Sequence, residues 1–258
     1  MIDVTITGSG RWNYLASTVK TFNRLVHCSE GFRFFVSDDA GYDLESDPAR
    51  KMIPKIGWFH EWFFPRAQDY GECVKWLWTR VESDLFFHLQ DDWVFKEKMD
   101  LDPLIALMRK NKDINQIRFN KRTIQSRLKQ ERGGPKGGYL KTNVAIDGIK
   151  LVATPYWAMH PSLCRTAFVR SKRLTFSEMS GNWKPNKWER YWLEEVFKDV
   201  NRANLADYRK KVGTYYYGQI GDPVRILHIG SERALTKRHT PRVQDERGRW
   251  VAKEIADE

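Results

Sequence analysis

Residues 84–95, Asp-Leu-Phe-Phe-His-Leu-Gln-Asp-Asp-Trp-Val-Phe, constrain the fold more than any other stretch of this chain. A largely apolar, aromatic-rich run at 85–89 leads straight towards two adjacent carboxylates, Asp91 and Asp92. A run this short and this apolar predicts a strand covered on both faces. Where such a strand meets Asp-Asp, two charges fall at the rim of a sheet. In open α/β sheets ligands bind at that rim, outside the carboxyl ends of the strands. Carboxylates there are hard oxygen ligands, suited to Mg²⁺ or Mn²⁺ shared with a phosphate group. The plain alternative is a polar strand end followed by a turn.

The elements before this strand build an α/β unit. Residues 2–7 alternate apolar and polar side chains and end at Gly8-Ser9-Gly10, a strand and a tight turn. Leu15, Val19, Phe22 and Val26 follow at helical spacing. Nucleotides commonly sit at such a first strand–helix loop, which makes Thr7, Gly8 and Arg11 candidate nucleotide contacts. A plain turn fits these residues equally well, and Gly-Ser-Gly is too short for a dinucleotide fingerprint. A second apolar strand at 32–36 runs into Asp38 and Asp39 before Gly41, where an Asx-type turn is one reading. Residues 46–64, with Pro48, Pro54 and clustered aromatics, predict a strand and a loop near the cleft. Tyr70, Cys73, Val74, Leu77, Trp78 and Val81 share one helical face, which makes Cys73 a core residue rather than a catalytic thiol.

Beyond the two acids, Asp102-Pro103 reads as an N-cap followed by proline in the first turn, and 114–119 as a further strand. Residues 121–141 are rich in Lys, Arg and Gly without apolar periodicity, a loop for acceptor binding or a solvated insertion. Residues 156–169 predict a strand and short helix over the cleft, with His160 at the core or rim. Asn186 and Glu189 have the spacing of a capping box opening a helix. Residues 224–229 form a last apolar strand holding His228, and the charged tail after Thr240 is expected to fray.

At 258 residues the chain can bury a sizeable core without covalent staples. The expected organisation is one domain over 1–240 with a charged tail at 241–258. Three scattered cysteines, without a Cys-x-x-Cys, argue against a disulfide framework or zinc knuckle and fit a reducing compartment. No apolar stretch reaches the length of a membrane span and no signal-like leader opens the chain, so a cytoplasmic protein is expected. The net charge of +11 points to a polyanionic partner: a nucleoside diphosphate, nucleic acid or an anionic surface.

Leu-Gln-Asp-Asp-Trp-Val-Phe at the end of an apolar strand resembles the Asp-x-Asp-type motif of GT-A-fold, nucleotide-sugar-dependent glycosyltransferases, family 2-like. Gln90 stands where several lines of that family carry a first acid, leaving Asp91 and Asp92. The resemblance spans roughly residues 1–233 and implies an α/β fold: a mixed, mainly parallel sheet with helices on both faces. It implies a nucleotide-sugar donor, a UDP-sugar, and a hydroxyl acceptor, a glycan. It makes Asp38 or Asp39 the acid that holds the base or ribose of the donor. It places Mn²⁺ or Mg²⁺ on Asp91, Asp92 and His228, with Asp91 also near the donor. Arg233, Lys237 and Arg238 would neutralise the diphosphate leaving group. Glu189 takes the place of the family's catalytic acid, with Glu194 and Glu195 as rivals; the family's Glu-Asp pair is replaced by Trp188-Glu189-Arg190.

Other chemistries share these features. Paired acids at a sheet rim also serve metal-dependent nucleotidyltransferases. A basic, aromatic chain also describes a nucleic-acid-binding module, although that leaves the acids unexplained. A glycosyltransferase acting on modified bases in DNA would account for both the acids and the charge.

Overall fold

In a computed structural model of the chain, residues 1–9, 11–38, 59–64, 70–120, 124, 142–154, 157–171, 213–229, 242–244 and 250–252 are described. The strands are β1 (Ile2–Gly8), β2 (Val26–His27), β3 (Phe32–Asp38), β4 (Glu61–Phe63), β5 (Leu85–Gln90), β6 (Trp93–Phe95), β7 (Met99–Asp100) and β8 (Gln116–Arg118). They continue with β9 (Thr142–Ile146), β10 (Ile149–Thr154), β11 (Ser162–Arg165), β12 (Thr214–Tyr217), β13 (Ile226–His228), β14 (Arg242–Gln244) and β15 (Trp250–Ala252). The helices are α1 (Trp12–Leu25), α2 (Tyr70–Arg80), α3 (Asp102–Lys110) and α4 (Thr166–Ser171).

One nine-stranded sheet, ordered β4-β3-β1-β5-β11-β8-β12-β10-β9, carries the architecture. Parallel pairing joins β4 to β3, β3 to β1, β1 to β5 and β8 to β12. Only β10 and β11 run against the other strands of this sheet. The fold is thus the mixed, mainly parallel α/β sheet that the sequence predicts.

Alternation along the strands divides the core. Val4, Ile6, Val36, Phe87 and Leu89 face one side, where they pack with Leu15, Val19 and Phe22 of α1 and Leu104, Leu107 and Met108 of α3. Phe35, Phe86 and Cys164 face the other, against Val74, Leu77 and Trp78 of α2 and Val169 of α4. Helices therefore cover both faces, and β5 is buried along almost its whole length. Phe22 anchors the first side, with edge-on contacts to Phe32, Phe34, Phe87 and Phe95. Such aromatic pairs add roughly 0.5–1.5 kcal/mol each beyond the area they bury. The three cysteines are buried and form no disulfide with one another.

Several local expectations change. Asp102 does not cap α3. Leu101 occupies the cap position in helical backbone, and the Asp102 carboxylate instead accepts the Ser29 N–H at 2.9 Å. The strand within 156–169 is β11, which sits between β5 and β8 in the middle of the sheet rather than over a cleft. β13 pairs with β6 in a separate two-stranded ribbon. The tail, expected to fray, holds the antiparallel pair β14–β15; Arg-Val-Gln and Trp-Val-Ala flank a polar, glycine-containing turn sequence. Two further strands, β9 and β10, form a hairpin about Asp147-Gly148, both at positive φ of 50° and 78°. Asp-Gly is a preferred pair for that turn.

Candidate active site

The carboxyl ends of β1, β3 and β5 lie side by side, with Gly8 level with Asp38 and Thr7 level with Gln90. Gly8 is needed there for space: a Cβ on it would come within 2.4 Å of Asp38 Oδ2. Asp38, one of the two acids that the resemblance offers for nucleotide recognition, is buried at this rim. Thr7 is also buried, and its Oγ1 has no hydrogen-bond partner among the described residues.

Beyond Gln90 the chain turns, and the turn carries Asp91 and Asp92, 1 % and 4 % exposed. Their backbone is fixed from two sides. The Asp91 N–H donates to Thr7 O at 2.9 Å, and Thr18 Oγ1 of α1 donates to Asp91 O at 2.8 Å while accepting the Trp93 N–H at 3.0 Å. β6 then pairs with β13 in a register that sets His228 opposite Trp93, and the Ile229 N–H donates to Asp92 O at 2.9 Å. This ribbon brings His228 Nε2 to 3.1 Å from Asp92 Oδ2. The Trp93 ring lies against the imidazole, their centroids 4.5 Å apart.

Arg11, at the start of α1, spans both acids. Its Nε donates to Asp91 Oδ2 at 2.9 Å, its Nη2 to Asp91 Oδ1, and its Nη1 to Asp92 Oδ2 at 2.5 Å. The Ser9 N–H adds a longer bond to Asp91 Oδ2, at 3.2 Å. The structure thus joins Asp92 to His228, and turns Asp91 towards Arg11.

These neighbours set the ionisation of the acids. Burial, the largest influence on Asp91, pushes its carboxyl up to about 7 against the pull of the Arg11 guanidinium. Burial also opposes ionisation of Asp92, but the hydrogen bond from His228 and the charge of Arg11 outweigh it and hold that carboxyl below the usual range. Arg11 loses water on burial, yet the charges of Asp91 and Asp92 raise its pKa above the ordinary value.

Asp92 Oδ1 is buried and has no hydrogen-bond partner among the described residues. An orphaned carboxylate oxygen beside an imidazole is a donor set that fits Mn²⁺ or Mg²⁺. Asp92 and His228 are the residues placed to hold such an ion, and Asp91 joins them only if Arg11 yields its oxygens.

A second cluster escaped the sequence reading. Arg118 of β8 is 3 % exposed; its Nη2 lies 2.6 Å from His160 Nδ1 and its guanidinium over the Tyr216 ring at 4.6 Å. His160 in turn flanks Trp93, with centroids 5.7 Å apart. No local pattern marks Arg118, because its partners come from the segment just before β11 and from β12. Asp39, Glu189, Glu194, Glu195, Arg233, Lys237 and Arg238 lie outside the described residues, as does almost all of the basic segment 121–141.

Among solved structures, GalNAc-T7 with UDP, GalNAc and Mn²⁺ matches with a TM-score of 0.53 and 10 % identity, over 84 % of this chain and 42 % of that one. S. aureus TarS residues 1–349 in complex with UDP-GlcNAc matches at 0.52 and 10 % identity, over 90 % and 61 %. S. aureus TarS itself matches at 0.51 and 11 % identity, over 91 % and 37 %. The fold is of the GT-A type. The chain spans less than two thirds of the length of each of these structures. No protein-family model and no curated protein matches the sequence. Among the described residues no helix is long and apolar enough to cross a membrane.

Proposed function

We propose that this chain is a metal-dependent glycosyltransferase that moves a sugar from a nucleotide-sugar donor, a UDP-sugar, to a hydroxyl of a glycan. One observation carries the reading. At the sheet rim that carries Gly8 and Asp38, the buried carboxylate of Asp92 has an oxygen without a partner among the described residues and stands against His228. The structural neighbours support it, since TarS is seen with UDP-GlcNAc and GalNAc-T7 with UDP, GalNAc and Mn²⁺.

In this reading Asp38 or Asp39 holds the ribose or base, and Thr7, Gly8 and Arg11 lie along the nucleotide. Asp92 and His228, with Asp91, hold Mn²⁺ or Mg²⁺. A bound divalent ion supplies Lewis-acid stabilisation of the departing diphosphate. Arg233 adds positive charge on the same leaving group. In an inverting reaction Glu189 takes the proton of the attacking hydroxyl. Residues 1–240 act as one catalytic domain.

The deciding experiment is a thermal-shift screen of UDP, GDP, CDP and ADP, each with and without Mn²⁺. Stabilisation by UDP that grows with Mn²⁺ is expected, and no response to any nucleoside diphosphate would sink the proposal. UDP release from UDP-sugars is then measured with glycan acceptors and with hydroxymethylated DNA. The net charge of +11 makes the DNA arm necessary, and glycan-dependent release is the expected result.

A further inference from the structure

Arg11 presents a contradiction within the proposed metal site. Its guanidinium engages Asp91 Oδ1, Asp91 Oδ2 and Asp92 Oδ2. These are among the oxygens a divalent ion would take, since Mg²⁺ and Mn²⁺ sites use one or two carboxylates beside waters and phosphate oxygens. Only Asp92 Oδ1 is left, buried and without a partner among the described residues. One guanidinium thus spans both carboxyl groups and occupies the oxygens that face it.

We propose that Arg11 makes divalent-cation uptake at Asp91 and Asp92 conditional on a bound diphosphate. This rests on the donor reading given above. A diphosphate offers the guanidinium the same planar, two-pronged acceptor geometry as a carboxylate, with more charge. Arg11 directly precedes α1, whose first-turn N–H groups also favour an anion. Its side chain is 16 % exposed, so it can be reached from outside, whereas Asp91 and Asp92 lie beneath it. When a diphosphate takes the guanidinium, the aspartate oxygens are released to the ion. Without a diphosphate the ion must displace a paired arginine.

The prediction is a thermodynamic coupling between two ligands, carried by one side chain. It is reciprocal: the factor by which UDP tightens Mn²⁺ equals the factor by which Mn²⁺ tightens UDP. Isothermal titration calorimetry of Mn²⁺ alone, UDP alone and each in the presence of the other measures it directly. The native chain is expected to bind Mn²⁺ weakly alone and more tightly with UDP, by a factor within the usual range of about 5–150. Arg11→Gln is expected to bind Mn²⁺ alone more tightly than the native chain and to lose most of the coupling. Arg11→Lys keeps a charge without the fork and should fall between them; it carries the test if circular dichroism shows Arg11→Gln unfolded.

Equal affinity of the native chain and both variants for Mn²⁺ alone would overturn the proposal, as would full coupling retained in Arg11→Gln. UDP binding indifferent to Mn²⁺, with no Mn²⁺ uptake by Arg11→Gln, would overturn it and leave the donor reading standing. Absence of UDP binding under every condition would overturn both.

Discussion

His228 Nε2 and Asp92 Oδ2 lie 3.1 Å apart although 136 residues separate them in the chain. The pairing of β6 with β13 produces this proximity, because it sets His228 level with Trp93, the residue next to Asp92. Asp92→Asn keeps the shape of the side chain and removes its charge. Its expected effect is loss of Mn²⁺-dependent stabilisation by UDP with the fold retained. Circular dichroism and thermal shift check both parts, and an undiminished Mn²⁺ response would remove Asp92 from the metal site.

Glu189 has the spacing of a capping residue and a proposed role as base, and the two roles differ in size. Loss of a cap costs roughly 0.5–2 kcal/mol of stability, whereas loss of a general base costs about a hundredfold or more in rate. Glu189→Gln retains most of the capping geometry. A drop in kcat of about a hundredfold or more with little change in Tm is expected; normal turnover would assign the base elsewhere.

His88 supplies a pH prediction. It is fully buried on β5, its Nδ1 lies 3.0 Å from Thr5 Oγ1, and burial lowers its pKa to about 3 from 6.5. The unfolded chain therefore binds a proton between pH 6.5 and about 3 that the folded chain does not. Stability from keeping His88 neutral is complete above 6.5 and is lost as pH falls, by about 1.4 kcal/mol per unit at most. Asp91, raised by burial, acts in the opposite direction below about 7, so the native curve alone mixes the two. The comparison with His88→Gln isolates the histidine: the variant's denaturant midpoint should fall less steeply between pH 6.5 and 4.5. Parallel curves would show that His88 does not titrate as its burial requires.

Gly8→Ala brings a methyl group towards Asp38 Oδ2, which the glycine backbone now admits. Asp38 is buried, so its side chain has little room to give way. The expected outcome is weakened UDP binding with folding stability lowered by about 1–3 kcal/mol, as is typical of overpacking. Calorimetry showing native UDP affinity would place the nucleotide away from the ends of β1 and β3.

Local pattern alone determined the parallel half of this protein. The apolar runs of β1, β3 and β5 and the one-sided spacing of α1 and α2 are properties of neighbouring residues, and burial of those faces leaves few arrangements open. The same logic marked Asp91, Asp92 and Asp38, because acids that directly follow covered strands must lie at the sheet rim. The Asp147-Gly148 turn also has a local cause, since the pair favours the positive φ that its hairpin requires, but the sequence reading did not mark it. Tertiary structure decided the rest. Arg11 directly follows the glycine turn in sequence, and only the parallel pairing of β1 with β5 sets it across both aspartates. Arg118, His160 and Trp93 come from three separate segments and meet because β8 and β11 are adjacent and the β5–β6 turn folds towards them. Asp102 looked like a helix cap until the fold brought the Ser29 amide to it. Charged side chains take the nearest desolvated partner, and sequence distance carries no information about which partner that is.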